Sequence, residues 1–118
     1  MPFGQIAANF FQFINSRDFD RMGSLLTEET MFYFPKTQPL LGKGRILKFF
    51  QVLFRQYPEL TFEVRDTVAQ GNKVAVHWKN QGVSRKNEIY ENEGVTLFEF
   101  EGGKVSLMND FFKDTDKF

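Results

Sequence analysis

The chain has 118 residues, the size of one domain, and its 15 basic and 15 acidic residues give a formal net charge of zero. This neutral balance argues against nucleic acid or an anionic membrane as the partner. With no cysteine and one histidine, neither a disulfide framework nor a zinc site with the usual ligands is predicted.

The hydrophobic periodicity changes from helical to strand-like near the middle of the chain. In chain order it predicts helices over 3–15 and 19–26, a strand over 30–34, a helix over 45–57, strands over 60–69 and 73–80, and a hairpin over 90–112. Asp18 is a suitable N-cap for the second helix, and Pro58 closes the third. The segment 36–44 contains Pro39 and two glycines and is predicted to be a loop.

The hairpin can be closed in two ways, because its turn contains Gly102 and Gly103. A two-residue loop pairs Glu101 with Lys104, whereas a three-residue loop pairs Phe100 with Lys104, and a slip of one residue exchanges the faces. In the three-residue register, one face carries Thr96, Phe98, Met108, Asp110 and Phe112. The other face then carries Val95, Leu97, Val105, Leu107 and Phe111. Both faces are bulky and apolar, so we expect the hairpin to be buried on both sides, with Asp110 as the exceptional carboxylate.

Helices followed by antiparallel strands indicate one α+β domain over 1–118, in which three helices pack on a strongly curved sheet that forms a cone. Sixteen phenylalanines exceed what so small a core needs, so an aromatic cavity or a subunit interface is expected to use the excess. Residues 1–14 lack a basic segment typical of signal peptides, and no apolar run approaches the ~20 residues of a membrane span. A soluble, cytoplasmic protein is therefore expected.

Three segments carry a resemblance to a known family: NFFQFINSRDFD at 9–20, GKGRILKFF at 42–50 and FEFEGGKV at 98–105. With these segments and its order of elements, the chain resembles the nuclear transport factor 2-like superfamily, which includes steroid delta-isomerases and SnoaL-like polyketide cyclases. The resemblance covers nearly the whole chain and implies a cone with a cavity mouth between sheet and helices. It also implies a homodimer formed through the outer face of the sheet.

The same resemblance allows the catalytic positions of the steroid isomerases to be compared with the residues of this chain. Those enzymes need a carboxylate base and two hydrogen-bond donors, a Tyr and a protonated Asp, for the enolate oxygen. In this chain the corresponding positions hold Phe34, Phe10 and Thr96. A phenyl ring neither takes up a proton nor donates a strong hydrogen bond, so steroid isomerisation by that mechanism is not expected.

The resemblance places Trp78 and Asn80 in the cavity and puts Asp110 where some relatives have a working acid. The residues predicted to bind a ligand are Phe10, Phe34, Phe50, Trp78, Asn80, Thr96, Phe98, Met108 and Phe112. His77 alternates away from Trp78 and is expected on the outer sheet face. No cofactor or metal is predicted.

Three functional hypotheses remain open at this point. The first is a binding module whose aromatic cavity holds a small hydrophobic molecule, with Asp110 and Asn80 at its polar end. The second is a cofactor-free isomerase- or cyclase-like enzyme in which Asp110 is the general acid or base. The third is a dimeric scaffold, in which Asp110 is only a structural carboxylate.

Overall fold

The computed structural model describes residues 2–116, in which three helices pack against one curled sheet of six strands. The helices are α1 (Phe3–Ser16), α2 (Phe19–Ser24) and α3 (Lys43–Gln56). The strands are β1 (Met31–Tyr33), β2 (Leu40–Leu41), β3 (Thr61–Gln70), β4 (Lys73–Val83), β5 (Ile89–Glu101) and β6 (Lys104–Phe112). The predicted α+β class is confirmed. None of the described helices is long and apolar enough to cross a membrane.

The strands lie in the order β2-β1-β6-β5-β4-β3. The four long strands form the predicted antiparallel meander. The short β1 was expected to be antiparallel like the rest, but it pairs parallel with β6. β2 lies inside the segment that was predicted to be a loop, where Leu40 and Leu41 pair with Phe32 and Met31. Two residues give too weak an alternation to be recognised in a sequence.

The helix ends follow the residues that the sequence indicated. α1 ends where Arg17 adopts a left-handed conformation, with φ of 59°. The Asp18 side chain then accepts a hydrogen bond from the Arg21 N–H at 3.1 Å and so caps α2. The Arg17 guanidinium lies 3.6 Å from the centre of the Phe54 ring, which ties the end of α1 to α3.

The β5–β6 hairpin resolves the two possible registers in an unexpected way. Glu101 pairs with Lys104 across Gly102 and Gly103, so the turn has the two-residue form. A bulge one step further on, with Glu99 opposite Leu107, leaves Ser106 as the extra residue.

The bulge shifts the rest of β6 by one residue and so restores the faces that the longer turn would give. Thr96 lies opposite Asp110, Phe98 opposite Met108 and Gly94 opposite Phe112, all on the inner face.

Two expectations for this hairpin are wrong. Val105 lies before the bulge and pairs with Phe100, so it faces the interior and is buried, not on the outer face. The outer face is also uncovered in the single chain, because Leu97 is 41% and Phe111 is 54% exposed. The hairpin is therefore buried on its inner side only.

Candidate functional site

Aromatic side chains fill most of the interior of the cone, and a small cavity lies beside Asp110. Its volume is about 20 Å³, which is room for about one water molecule. Its lining consists of Phe10, Phe11, Ile14, Phe32, Phe50, Phe62, Thr96, Phe98, Met108 and Asp110. The excess of phenylalanine thus occupies the space where a larger cavity was expected. Phe32 stacks on Phe50 at 5.7 Å, and Phe98 meets Phe10 edge-on at 5.9 Å.

Asp110 ends a short chain of hydrogen bonds with a fixed direction. The Trp78 indole N–H can only donate, and it donates to Thr96 Oγ1 at 2.9 Å. The Thr96 hydroxyl in turn donates to Asp110 Oδ1 at 2.6 Å. Because β6 is in register with β5 here, Asp110 and Thr96 are directly opposite on the inner face. Oδ1 of Asp110 therefore serves as an acceptor within the fold.

The surroundings of Asp110 favour its neutral form. Asp110 is half-buried against aromatic rings. The resulting loss of water around its carboxyl group raises its pKa to about 7, and the hydrogen bond from Thr96 acts in the opposite direction. Desolvation dominates because the lining of the cavity contains no cationic side chain. Near neutral pH the group is therefore divided between acid and carboxylate.

Three partly buried phenylalanines lie between this cavity and the outside. Phe34 is 4.7 Å from Phe49 and 5.2 Å from Phe112, measured between ring centres. Phe112 in turn lies 6.2 Å from the Trp78 ring. We call Phe34, Phe49 and Phe112 the rim cluster. It joins the residue that follows β1 to α3 and β6, and its Phe112 ring lies beside Trp78.

The predicted ligand-binding residues divide into two groups. Six of the predicted residues, counting Asp110, line the cavity: Phe10, Phe50, Thr96, Phe98, Met108 and Asp110. The other four lie on the same inner side but outside the lining: Phe34, Trp78, Asn80 and Phe112. Phe34 and Phe112 belong to the rim cluster, and Trp78 is buried behind Thr96.

Four lining residues were not predicted. Phe11 lies one turn after Ala7 and one before Ile14, so helical spacing from Ala7 could have found it. Phe32 alternates with Phe34, and Phe62 lies opposite Asn80, so strand alternation was the available signal for these two.

The outer face carries a separate group of charges. His77 lies there, as predicted, and its Nε2 is 2.5 Å from Glu93 Oε2. Lys113 Nζ donates to the other oxygen of Glu93 at 2.8 Å. The hydrogen bonds from Lys113 and then His77 lower the pKa of Glu93 to about 2. This group is on the opposite side of the sheet from Asp110.

A larger concavity, a groove of about 890 Å³, lies between the end of α3 and the β4–β5 turn. Arg55, Arg85, Lys86 and Glu88 are among its residues and are exposed. None of the predicted ligand-binding residues lines it. Asp110 therefore belongs to the smaller interior cavity, and the interior remains the candidate site. Within residues 2–116 there is also no cluster of three side chains suited to hold a metal ion.

Three helices packed on one curled sheet of six strands form a nuclear transport factor 2-like fold. Residues 7–108 match the model of the SnoaL-like domain, and the chain belongs to this family. A search of curated protein sequences gives no significant match.

Solved structures of the same fold are similar over almost their whole length. An NTF2-like protein of unknown function from Burkholderia pseudomallei K96243 has a TM-score of 0.87 and 14% identity, covering 96% of this chain and 92% of its own. TerC, co-crystallised with polyporic acid, has a TM-score of 0.85 and 18% identity, covering 96% of this chain and 92% of its own. IdmH from Streptomyces antibioticus, described as a candidate polyketide cyclase, has a TM-score of 0.85 and 16% identity, covering 96% of this chain and 93% of its own. At such identities these structures establish the fold alone.

Proposed function

We propose that the protein binds a small, uncharged, hydrophobic molecule inside the cone, with Asp110 as the polar anchor. The observation that carries this proposal is the position of Asp110 beside the aromatic cavity, at the end of the chain from Trp78 through Thr96. An acid with a pKa of about 7 in such surroundings is an effective hydrogen-bond donor to a carbonyl.

The hydrogen-bonded chain also determines which oxygen would donate. Thr96 gives its hydrogen to Oδ1, so the proton of the neutral acid belongs on Oδ2 of Asp110. A ligand carbonyl that meets Oδ2 would accept this proton in a hydrogen bond. An anionic ligand would instead be repelled whenever Asp110 is ionised.

Binding requires the interior to open. Sites for drug-sized ligands usually measure about 300–1,000 Å³, far more than the 20 Å³ present. The rim cluster is the natural place of entry, because its three rings are partly exposed and come from three separate segments of the chain. If the open form is a minor one, the observed dissociation constant rises by the inverse of its population.

A titration with 2-acetonaphthone, a neutral bicyclic ketone, tests this proposal. We expect wild-type protein to bind it more weakly above the pKa of Asp110 than below it, because the ionised acid no longer donates. In Asp110→Asn the pH dependence should disappear and the affinity at low pH should change by about 2–10-fold, one hydrogen bond. Asp66→Asn, an exposed acid on the outer face, is the matched control. Equal affinities for wild type at both pH values would contradict Asp110 as the anchor.

An enzymatic role is the second candidate, and the pKa of Asp110 near neutrality favours it. In that case Asp110 would transfer a proton at a carbon next to a carbonyl. Exchange of the enolisable hydrogens of 2-tetralone in D₂O, followed by NMR, measures such a step directly. Catalysis predicts that Asp110→Asn slows the exchange by about 100-fold or more, in the range for a general acid–base group. Exchange no faster than in buffer would contradict the enzymatic role and leave binding as the proposed function.

The uncovered outer face supports a homodimer formed through the sheet. Leu97 and Phe111 are exposed next to Val95, and polar residues such as His77 and Glu93 adjoin them. Apolar centres with a polar rim are typical of such interfaces. The excess of aromatic residues would then serve two purposes, the interior and this face.

A further inference from the structure

Asn80 has an amide oxygen that the fold leaves without a hydrogen bond. The residue lies on the inner face of β4 and is 5% exposed. Its side-chain amide lies near the Tyr90 hydroxyl group, whose pKa is raised by burial and lowered to a smaller extent by this amide. Oδ1 has no partner, and among residues 2–116 it is the one buried side-chain polar atom in this state. A buried acceptor without a donor destabilises the folded protein, so its presence needs a reason.

Asn92, directly opposite on β5, shows what a purely structural asparagine does in this place. Its Nδ2 donates to Tyr90 Oη at 2.8 Å and to the Asp114 carbonyl oxygen at 2.7 Å. Its Oδ1 accepts from the Asp114 N–H at 3.1 Å. Asn92 thereby fastens the chain that follows β6. Asn80 is at least as buried as Asn92, but its Oδ1 accepts no hydrogen bond.

Asn80 and Asp110 belong to the same inner face of the sheet. Asn80 pairs with Asn92, and Asp110 pairs with Thr96, four residues further along β5. At about 3.3 Å per residue the two rungs are about 13 Å apart along the strands, and Asp110 on β6 is also two strands, about 10 Å, away from Asn80 on β4 across the sheet. Trp78, the next inward residue after Asn80, lies between them. The row therefore has a polar group at each end and an aromatic surface in the middle.

We infer that Asn80 Oδ1 accepts a hydrogen bond from an O–H or N–H group of the ligand whose other end meets Asp110. This inference rests on the function proposed above and adds the ligand class to it. The ligand would be a flat, uncharged ring compound with a carbonyl at one end and a donor at the other. Two fused rings with a substituent at each end are a suitable probe, because the two side chains and a hydrogen bond at each end also span part of this separation.

Three ketones of one shape test this inference: 6-hydroxy-2-acetonaphthone, its 6-methoxy ether and unsubstituted 2-acetonaphthone. The first has the donor, the second replaces it with an acceptor, and the third lacks both. We expect wild type to bind the hydroxy ketone about 5–10-fold more tightly than the unsubstituted one, which corresponds to one hydrogen bond. In Asn80→Leu this preference should disappear. Asn109→Leu, on the outer face of β6, is the matched control and should keep it.

The possible results separate the inference from the proposed function. Equal affinity of wild type for all three ketones, unchanged in Asn80→Leu, would overturn the role of Asn80 while leaving the interior site intact. If none of the ketones binds, the proposed function fails and the inference fails with it.

A crystal structure of wild type with 6-hydroxy-2-acetonaphthone gives a second measurement that does not depend on the stability of Asn80→Leu. The hydroxyl oxygen within hydrogen-bonding distance of Asn80 Oδ1 would support the assignment. A water molecule on Oδ1, with the ligand hydroxyl elsewhere, would overturn it.

Discussion

Asp110→Asn should change the pH dependence of stability in a direction that the structure determines. The pKa of Asp110 is about 7 in the folded protein against the reference value of 3.8. Between these values the folded state keeps the proton that the unfolded state has released. Because the folded state binds more protons in this range, stability falls as pH rises from about 4 to about 7, and then levels off. Asparagine keeps the shape and an acceptor for Thr96 but does not titrate.

The size of the effect follows from the pKa difference. A difference of about 3 pH units, at about 1.4 kcal/mol each, gives about 4 kcal/mol over the whole range. The two units between about pH 5 and about pH 7 account for about 2.7 kcal/mol of this. Asp110→Asn should therefore gain about 2.7 kcal/mol relative to wild type when both are moved from pH 5 to pH 8.

Urea unfolding of wild type and Asp110→Asn at these two pH values measures the difference. All other titrating groups are common to the two proteins, so their contributions cancel. Asp66→Asn, which removes an exposed acid, should follow wild type at both values. A difference between Asp110→Asn and wild type that changes by less than about 0.5 kcal/mol would mean that Asp110 is ionised in the folded protein throughout, and the reasoning from burial would be refuted.

Three further predictions concern packing, assembly and activity. Gly94→Ala should destabilise the protein by about 1–3 kcal/mol or more in urea unfolding, because its Cβ would lie 2.3 Å from the Phe111 carbonyl oxygen and 2.8 Å from the Trp78 ring. Gly44→Ala should not be destabilising, because a Cβ added at Gly44 would meet no neighbouring side chain or strand within 4 Å. Sedimentation at micromolar concentration should give a dimer for wild type and a monomer for Phe111→Lys; a monomeric wild type would contradict the sheet interface. Simple 3-keto-Δ5 steroids should not be isomerised, because Phe34, Phe10 and Thr96 stand where the isomerases have their base and two donors. Turnover within about a hundredfold of a competent enzyme would show that these are not the corresponding positions.

The sequence predicted the elements well because their periodicities are strong and their ends are chemically marked. Asp18 caps α2 as expected, and α1 ends at the predicted position. The position of Asp110 was harder to predict, since it depends on the hairpin register. Two glycines allow either turn, and the bulge at Ser106 has no marker such as a glycine. Thr96, Phe98, Met108, Asp110 and Phe112 lie on the face that the longer turn predicts, although the turn itself has the two-residue form.

The volume of the cavity could not be predicted from the sequence at all. Alternation and helical spacing indicate which residues face inward, but not how their rings share the space. Phe32, Phe49 and Phe50 come from two elements and meet at distances of 5.1 to 5.7 Å, which depend on side-chain rotamers and on the curl of the sheet. The free amide oxygen of Asn80 is likewise a property of the packed structure alone.

Asp110 is the one acid in the lining of the cavity, and this limits the chemistry that the proposed interior site could perform. Moving a double bond next to a carbonyl needs a base to remove one proton and a donor to stabilise the oxygen. Near Asp110 the cavity offers Thr96, whose hydroxyl is already committed to Oδ1, and otherwise hydrocarbon side chains. Asp110 can therefore donate a proton to a ligand or accept one from it, but no other residue of the lining can serve as the second of the two groups, the base or the donor to the oxygen. A single acid of this kind suits recognition of a carbonyl, or one proton transfer that the ligand completes with its own groups.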